Sequence, residues 1–298
     1  MSANTNTQKI IHITYHDFDG LSAGILSSLC GIHFSIILRD PDYINSDSVV
    51  EDAKQYDKII ITDIAFSENV LNQLLTAGKT VCIYDHHRTS QYINKYPNCI
   101  SDSSRCSTKI YFEEVIQKYP KAKITGAMRE FVELVDVYER WQQDSECWSK
   151  ACDLNRLYMY YNDVSKLVGT WFGRIEWKIE EHDAFTYDDS CKNDIEKVIS
   201  LTNKALEYTE ANMKIHEIDG ELRAAISHHK GFCREIGRTL IKKYNLKYII
   251  LIDDEDAFHP ASIVSVPDFD YTTIKWSYEN EFVDTDKITL SSSYRRFL

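Results

Sequence analysis

Four short segments of the sequence concentrate carboxylates and imidazoles, the side chains that hold divalent cations. The segments are Tyr15-His16-Asp17-Phe18-Asp19-Gly20, Thr62-Asp63, Asp85-His86-His87 and Val135-Asp136-Val137-Tyr138. Hard cations such as Mg²⁺ and Mn²⁺ prefer carboxylate oxygens, and Mn²⁺ also accepts imidazole. Two such ions about 3.5–4 Å apart can generate a hydroxide and clamp the oxygens of an in-line phosphoryl displacement. The sequence therefore supplies the ligands for hydrolytic chemistry that uses two metal ions.

The first three segments each follow a predicted strand. The strands are Ile10–Tyr15, Lys58–Ile61 and Thr80–Tyr84. Between them, Gly20–Gly31 and Glu68–Ala77 carry apolar residues at helical spacing, which indicates βαβ units in a parallel sheet. Because ligands bind outside the carboxyl ends of strands in such sheets, we expect the polar residues to converge on one crevice. Gly20 suits a tight turn from strand to helix.

We expect an α/β protein with two domains, because 298 residues exceed the ~100–150 residues of one typical domain. Predicted helices at Met128–Trp141 and Leu154–Trp177 belong to the first, parallel-sheet domain. A long polar helix is predicted at Asp194–Glu217, with Val198, Leu201, Ala205 and Tyr208 on one face. The smaller α/β domain contains Leu222–Ser227, Cys233–Tyr244, Lys247–Ile252 and Lys287–Ser291 as strand, helix, strand and strand. The expected boundaries are residues 8–190, a connector helix at 191–215, and residues 216–298.

Composition excludes several classes of protein. The formal charge of −12, from 46 acidic and 34 basic side chains, disfavours non-specific binding to long nucleic acid. No apolar stretch approaches the ~18 residues of a membrane span, so no membrane partner is expected. The eight cysteines form no CxxC pair and are typical of reduced thiols. We therefore expect a cytoplasmic protein without a cysteine-based zinc site.

In their order and intervals, the four segments resemble the motifs of the DHH superfamily, which includes RecJ-type exonucleases, oligoribonucleases (nano-RNases) and family II inorganic pyrophosphatases. The resemblance covers roughly residues 8 to 250. It is closest to the oligoribonuclease branch through the runs Ile60–Ala65, Tyr84–Thr89 and Tyr138–Trp141. The tail resembles the DHH-associated substrate-binding domain through Glu235-Ile236-Gly237 and Ile288–Ser291. The resemblance implies a DHH catalytic domain followed by a smaller substrate-binding domain.

The resemblance also implies the metal ligands. Asp63 would bridge both ions, and Asp17 and Asp19 would bind them from the first turn. His86 and Asp136 would complete the coordination of the second ion. The cofactor expected from this set is a pair of Mn²⁺ ions, with Mg²⁺ as the alternative.

Further roles follow from the same motifs. His87 would contact the scissile phosphate or the leaving oxygen, and Asp85 would orient an imidazole. The family usually has His or Asp at the position of Tyr15, where the neighbouring His16 is the candidate replacement. Glu139 lies one helical turn after Asp136 and stays open as an alternative ligand.

The usual backbone-binding element of the family is missing from these 298 residues, either because the chain is truncated or because the protein lacks the element. Family members carry a Gly-rich segment with a histidine after the last strand, but no glycine follows Gly237 here. We expect other residues to contact the substrate, namely Arg88, Ser104, Arg105, His228 and His229. Arg105 precedes a predicted helix at Ile110–Lys118, whose N-terminus favours a phosphate. Arg295 and Arg296 are alternatives, or simply part of a frayed terminus.

Three functions remain open. The first is a metal-dependent phosphodiesterase, a hydrolase that cleaves dinucleotides or short oligonucleotides to mononucleotides. The second is a cyclic-dinucleotide or phosphoanhydride hydrolase, although a pyrophosphatase would have Asp where this sequence has Leu21. The third is a nucleotide-binding protein with weakened catalysis, because of Tyr15 and the missing Gly-rich segment. The expected partner is a small nucleotide or a short oligonucleotide, and no long duplex nucleic acid.

Overall fold

The computed structural model describes residues 8–32, 34–38, 44, 47–161, 168–180, 182–218, 221–228, 232–252 and 261–266. The chain divides into two compact units, Met1–Ile195 and Glu196–Leu298. Each unit combines helices with one sheet, so the predicted α/β class is confirmed. Among the described residues, no helix has both the length and the apolar character that a membrane crossing requires.

The first unit is built on a five-stranded parallel sheet in the order β2-β1-β3-β4-β5. Its strands are β1 (Ile10–Thr14), β2 (Phe34–Leu38), β3 (Lys58–Thr62), β4 (Thr80–Asp85) and β5 (Cys99–Ser101). Successive residues of β3, Ile59, Ile60 and Ile61, are all buried although they point to alternate faces. The sheet is therefore covered on both faces, as parallel sheets usually are.

Three of these strands were predicted, with ends that differ by one residue. The edge strands β2 and β5 were not predicted. Phe34–Leu38 is a short, mostly apolar run interrupted by Ser35, which periodicity alone cannot distinguish from a helical segment. Cys99–Ser101 has only three residues, which is too short to show a pattern.

The helices of the first unit pack on this sheet and on one another. They are α1 (Phe18–Leu29), α2 (Asp47–Lys54), α3 (Glu68–Thr76), α4 (Ser107–Glu114), α5 (Gly126–Glu139), α6 (Trp148–Tyr161) and α7 (Val168–Glu180), with 3₁₀ helices at Arg88–Lys95 and Ile116–Lys118. The stretch Leu154–Trp177, expected to be largely helical, contains parts of α6 and α7. Helix α4 packs against α1, α5 and β4, which places its N-terminus beside the strand ends.

Among its described residues, the second unit contains a four-stranded mixed sheet with a helix packed on it. The strands β6 (Lys214–Ile218), β7 (Glu221–His228), β8 (Tyr248–Ile252) and β9 (Ala261–Ser265) lie in this order, and only β7 and β8 are parallel. Helix α9 (Cys233–Tyr244) packs against β8 and β9. A Cβ atom at Gly237 would lie 2.6 Å from the side chain of Val264, so this close approach requires glycine.

The long polar helix, α8, runs from Asp189 to Asn212, and the unit boundary after Ile195 falls within it. The predicted end at Glu217 is wrong, because Lys214–Ile218 forms β6 and pairs antiparallel with β7. The β-branched residues of β6 favour extended backbone, but its pairing with β7 cannot be recognised from a local sequence pattern. The predicted strand Lys287–Ser291 and the pair Arg295 and Arg296 lie outside the described residues.

The predicted apolar face of α8 is only partly buried. Val198 and Ala205 are 1% and 8% exposed, whereas Leu201 and Tyr208 are 50% and 48% exposed. Residues seven apart share a helix face, so the first pair faces the core and the second pair lies at the edge of that face.

Candidate metal centre

Asp63 is the first residue after β3, and its carboxylate is buried in an unusual environment. Its backbone φ of 65° is uncommon for a residue other than glycine. Oδ1 accepts a hydrogen bond from the Ser107 hydroxyl at 3.2 Å, while Oδ2 is buried and has no hydrogen-bond partner among the described residues. An unsatisfied buried polar atom costs about 1–3 kcal/mol. A bound cation would satisfy this oxygen, so the position fits a metal ion.

The electrostatic environment of Asp63 also favours a cation. Burial raises the pKa of this carboxyl well above its usual value, and the negative charges of Asp17, Asp19 and Asp85 raise it further. Several carboxylates thus compete for the same space, and each disfavours the charge of the others. A divalent cation would reverse this repulsion.

His86 and His87 follow β4 and face Asp63. His86 Nε2 lies 3.3 Å from Asp63 Oδ1 and 3.8 Å from Asp19 Oδ2. One ligand atom from each of Asp63, His86 and His87 can be chosen so that all lie within 4.8 Å of one another. The predicted convergence of the second and third segments is therefore present, and these residues form a group that can hold a metal ion.

Asp85 orients His87 through a direct hydrogen bond. The His87 Nδ1 atom lies 2.8 Å from Asp85 Oδ1, which also accepts the backbone N–H of His86 at 2.8 Å. Partial desolvation of the half-exposed ring would lower the pKa of His87, but the hydrogen bond and charge of Asp85 raise it to about 9. Burial opposes the charged form of Asp85, yet its hydrogen bond with His87 lowers its pKa. The hydrogen bond therefore favours the charged forms of both side chains in the metal-free chain.

Asp17 marks the turn from β1 into α1. Its Oδ1 accepts the backbone N–H of Gly20 at 2.9 Å, so it serves as the N-cap of the helix. A Cβ atom at Gly20 would lie 2.2 Å from the carbonyl oxygen of Tyr15. Only glycine permits this turn, as expected from the sequence.

Asp19 connects α1 to the N-terminus of α4. The side chain is fully buried, and its two oxygens accept the backbone N–H groups of Ser107 and Thr108 at 2.7 and 2.8 Å. These donors are the free N–H groups that every helix presents at its beginning. The negative charge also complements the helix dipole.

Asp136 is fully buried on α5 but is held by other partners. Its Oδ1 accepts the backbone N–H of Cys106 at 2.7 Å, and its Oδ2 lies 3.0 Å from Lys109 Nζ and 3.6 Å from an Arg140 nitrogen. Neither Asp136 nor Glu139 belongs to the group of ligand atoms within 4.8 Å, as found among the described residues. The choice between them as a ligand stays a prediction.

His16 and Tyr15 lie at the edge of this region. The backbone carbonyl of His16 accepts a hydrogen bond from the Tyr158 hydroxyl at 2.7 Å, and its ring contacts Tyr15 with centroids 4.7 Å apart. The Tyr15 side chain packs against the apolar core of the first unit. His16 is not part of the compact group around Asp63 among the described residues, so its role as replacement ligand stays a prediction.

The expected phosphate-binding run before α4 is occupied by the chain's own carboxylates. Arg105 donates hydrogen bonds to Asp102 and Glu113, and Ser104 donates both its N–H and its hydroxyl to Asp102. Asp19 also binds the N–H groups at the N-terminus of α4, so carboxylates of the chain occupy the groups that were predicted to bind a phosphate. The sequence motif did not show that these acidic residues lie nearby.

The remaining predicted substrate residues belong to different units of the chain. Arg88 is exposed and begins the 3₁₀ helix directly after His87. His228 ends β7 in the second unit, and its side chain lies outside the described part of the chain, as does all of His229. Sequence reasoning missed the contacts of Ser107 with Asp63 and of Lys109 with Asp136. The polar run at the start of α4 was the available signal, and it was assigned to phosphate binding instead.

A parallel sheet that presents carboxylates and imidazoles at its strand ends is the arrangement expected of a DHH domain. Among solved structures, the chain resembles the DHH domain of a member of a family of ribosomal proteins, with a TM-score of 0.58, 10% identity, and coverage of 83% of this chain and 72% of that one. It also resembles the pGpG-specific phosphodiesterase PggH from Vibrio cholerae, with a TM-score of 0.50, 15% identity, and coverage of 82% and 77%. The chain therefore has the fold of a DHH domain.

The sequence is also similar to a curated protein. It is 24% identical over 258 residues to oligoribonuclease NrnB of Bacillus subtilis (strain 168), which covers 80% of this chain and 62% of that protein. The chain thus spans less than two thirds of the relative's length. No protein-family model matches the sequence. These comparisons confirm the predicted resemblance to the DHH superfamily and its oligoribonuclease branch.

Proposed function

We propose that the chain is a metal-dependent phosphodiesterase that hydrolyses dinucleotides or short oligonucleotides to mononucleotides. The observation that carries the proposal is the buried Asp63 carboxylate, which has one oxygen without a hydrogen-bond partner among the described residues and lies beside His86 and His87. The activities of two similar proteins, an oligoribonuclease and a pGpG-specific phosphodiesterase, support a short phosphodiester substrate.

The proposed ligands divide between two ions. Asp63 would be shared, Asp17 would bind the first ion together with His16, and Asp19, His86 and Asp136 would bind the second. Two bound ions would supply an activated water molecule and neutralise charge on the phosphate oxygens. We favour Mn²⁺ because imidazole ligation suits it better than Mg²⁺, which is the alternative.

His87 would act on the substrate directly. Asp85 holds its Nδ1, so the opposite ring nitrogen is left to point away from Asp85, and the side chain is 51% exposed. An N–H group at that nitrogen can donate a hydrogen bond to the scissile phosphate or to the leaving oxygen. Arg88, the next residue, would provide a further contact to a phosphate, because its guanidinium suits bidentate binding.

The substrate should be short because the chain offers little attraction for a long polyanion. The net charge is −12, and Arg105 is already paired with Asp102 and Glu113. Binding energy must then come from contacts with a few nucleotides. The eight cysteines are free thiols, which fits the reducing cytoplasm that we propose as the location.

A second candidate is a nucleotide-binding protein with low turnover. It is favoured by Tyr15, which packs against the apolar core at a position where the family usually has a ligand. The first ion would then be weakly held, and the protein would bind its nucleotide without efficient cleavage.

The test compares the full chain with two variants on a homologous series of 5′-phosphorylated oligonucleotides, from two to about ten nucleotides. We expect mononucleotide release with Mn²⁺, fastest for the dinucleotide, and none with EDTA. Asp63→Ala should abolish release, whereas Asp144→Ala, at an exposed position outside the candidate site, should not change it. Salt must be fixed, because it alone shifts nucleic-acid affinity by orders of magnitude.

Each outcome distinguishes the candidates. Full activity of Asp63→Ala, or turnover with EDTA, would refute the metal centre. Tight binding of the dinucleotide without product would favour the low-turnover candidate. Equal specificity constants for the dinucleotide and the longest substrate would show a more general exonuclease.

A further inference from the structure

Asp136 and Asp63 are both buried carboxylates, but the chain neutralises them differently. Asp63 has an oxygen without a hydrogen-bond partner among the described residues, and the basic group beside it is an imidazole. Asp136 has partners on both oxygens, including the Lys109 ammonium at 3.0 Å. Asp63 is therefore prepared to receive a cation, whereas Asp136 already has the Lys109 ammonium at 3.0 Å and an Arg140 nitrogen at 3.6 Å.

Lys109 holds its position through two carboxylates. Its Nζ lies 2.8 Å from Glu133 and 3.0 Å from Asp136, and its side chain is 21% exposed. Glu133 is 50% exposed and lies one turn before Asp136 on α5. The ammonium can therefore leave Asp136 and stay paired with Glu133, without becoming an unpaired buried charge.

We propose that Lys109 is a built-in counter-ion of Asp136 that competes with a divalent cation and so sets the affinity of the second metal position. A divalent ion that binds Asp136 must either displace the Lys109 ammonium or bind beside it, where the positive charge repels the ion. A like charge within ~4–6 Å changes the equilibrium of a charged group by about one to three powers of ten. The proposal rests on the proposed metal-dependent function, in which Asp136 is a ligand of the second ion.

The experiment measures Mn²⁺ binding to the metal-free full chain by isothermal titration calorimetry, with free Mn²⁺ followed by electron paramagnetic resonance. We expect one tight and one weak site in the unmodified chain. Lys109→Met should tighten the weak site by about tenfold or more. Lys109→Arg keeps the charge and should retain the weak affinity. Lys118→Met removes a comparable lysine, paired with Glu114, and should change nothing.

Two further variants separate a competing charge from a structural role. Lys109→Gln keeps a hydrogen-bond donor without the charge, so it should also tighten the weak site and replaces Lys109→Met if that variant does not fold. With Asp136→Asn, the weak site should be lost, and adding Lys109→Gln should then have no effect. This double-mutant cycle isolates the coupling between the two side chains.

The outcomes also separate this proposal from the proposed function. If both neutral variants bind Mn²⁺ no more tightly than the unmodified chain, Lys109 does not compete and the inference is wrong, while the metal centre stands. The same holds if Asp136→Asn leaves both sites unchanged. If neither the unmodified chain nor any variant binds Mn²⁺, the proposed metal centre is refuted, and this inference is refuted with it.

Discussion

His12, on β1 beneath the candidate metal centre, should make the fold sensitive to acid. The ring is fully buried, and its Nε2 lies 2.8 Å from the Thr62 hydroxyl while its Nδ1 lies 3.1 Å from the Ser27 hydroxyl. The Thr62 hydroxyl donates to Thr14, so it must accept from His12 Nε2–H. His12 Nδ1 is then the acceptor for Ser27. This assignment of hydrogens requires a neutral ring.

The magnitude follows from the pKa of His12, which burial lowers from 6.5 to about 3. Between pH 6.5 and about pH 3, His12 is protonated in the unfolded chain but neutral in the folded chain. The free energy of unfolding therefore decreases as the pH falls through this range. At pH 5 the loss is about 1.5 pH units × 1.36 kcal/mol, or about 2 kcal/mol. That is a large fraction of the ~5–15 kcal/mol that stabilises a typical protein.

The assay is urea unfolding in EDTA at pH 7 and pH 5, followed by circular dichroism, for the unmodified chain and for His12→Gln. Glutamine cannot titrate but retains one donor and one acceptor for the same neighbours. The variant should be less stable at pH 7, because its shape differs. Between pH 7 and pH 5, the unmodified chain should lose about 2 kcal/mol more than the variant. Parallel losses in both proteins would refute the neutral, buried histidine.

Three further predictions concern the centre and the second unit. Asp63→Asn should raise the metal-free stability by about 1–3 kcal/mol, because it removes a repelled charge; a lower melting temperature in EDTA would contradict this. Gly237→Ala should destabilise the second unit by about 1–3 kcal/mol, because its Cβ would lie 2.6 Å from Val264; unchanged urea unfolding of that unit would refute the contact. Mn²⁺ should give a higher rate of dinucleotide cleavage than Mg²⁺ at saturating metal, because His86 offers imidazole; a faster rate with Mg²⁺ would argue against that ligand.

The part of the centre that follows strand ends could be predicted from the sequence. Asp63 comes directly after β3, and Asp85, His86 and His87 come at the end of β4. Neighbouring parallel strands end at the same edge of a sheet, so hydrophobic patterning was sufficient to bring these residues together. The end of α8 was predicted wrongly because the next residues form β6. This strand depends on pairing with β7, which a local pattern does not show.

The contacts made by helices could not be predicted in this way. Lys109 and Asp136 are 27 positions apart, on α4 and α5, and their contact depends on how these helices pack. Arg105 was expected to bind phosphate because its charge and position suit that role. Its pairing with Asp102 and Glu113 depends on side-chain directions at the start of α4, which spacing alone does not specify.

The hydrogen bonds of Asp19 have a consequence for the order of events in folding. They join α1 to Ser107 and Thr108, which lie 88 and 89 positions further along the chain. Closing a loop of this size costs conformational entropy before any contact is gained, so contacts of this kind form slowly. A metal ion that needs the completed centre cannot nucleate folding. It should instead slow unfolding, because it binds the native chain and leaves the rate of folding nearly unchanged.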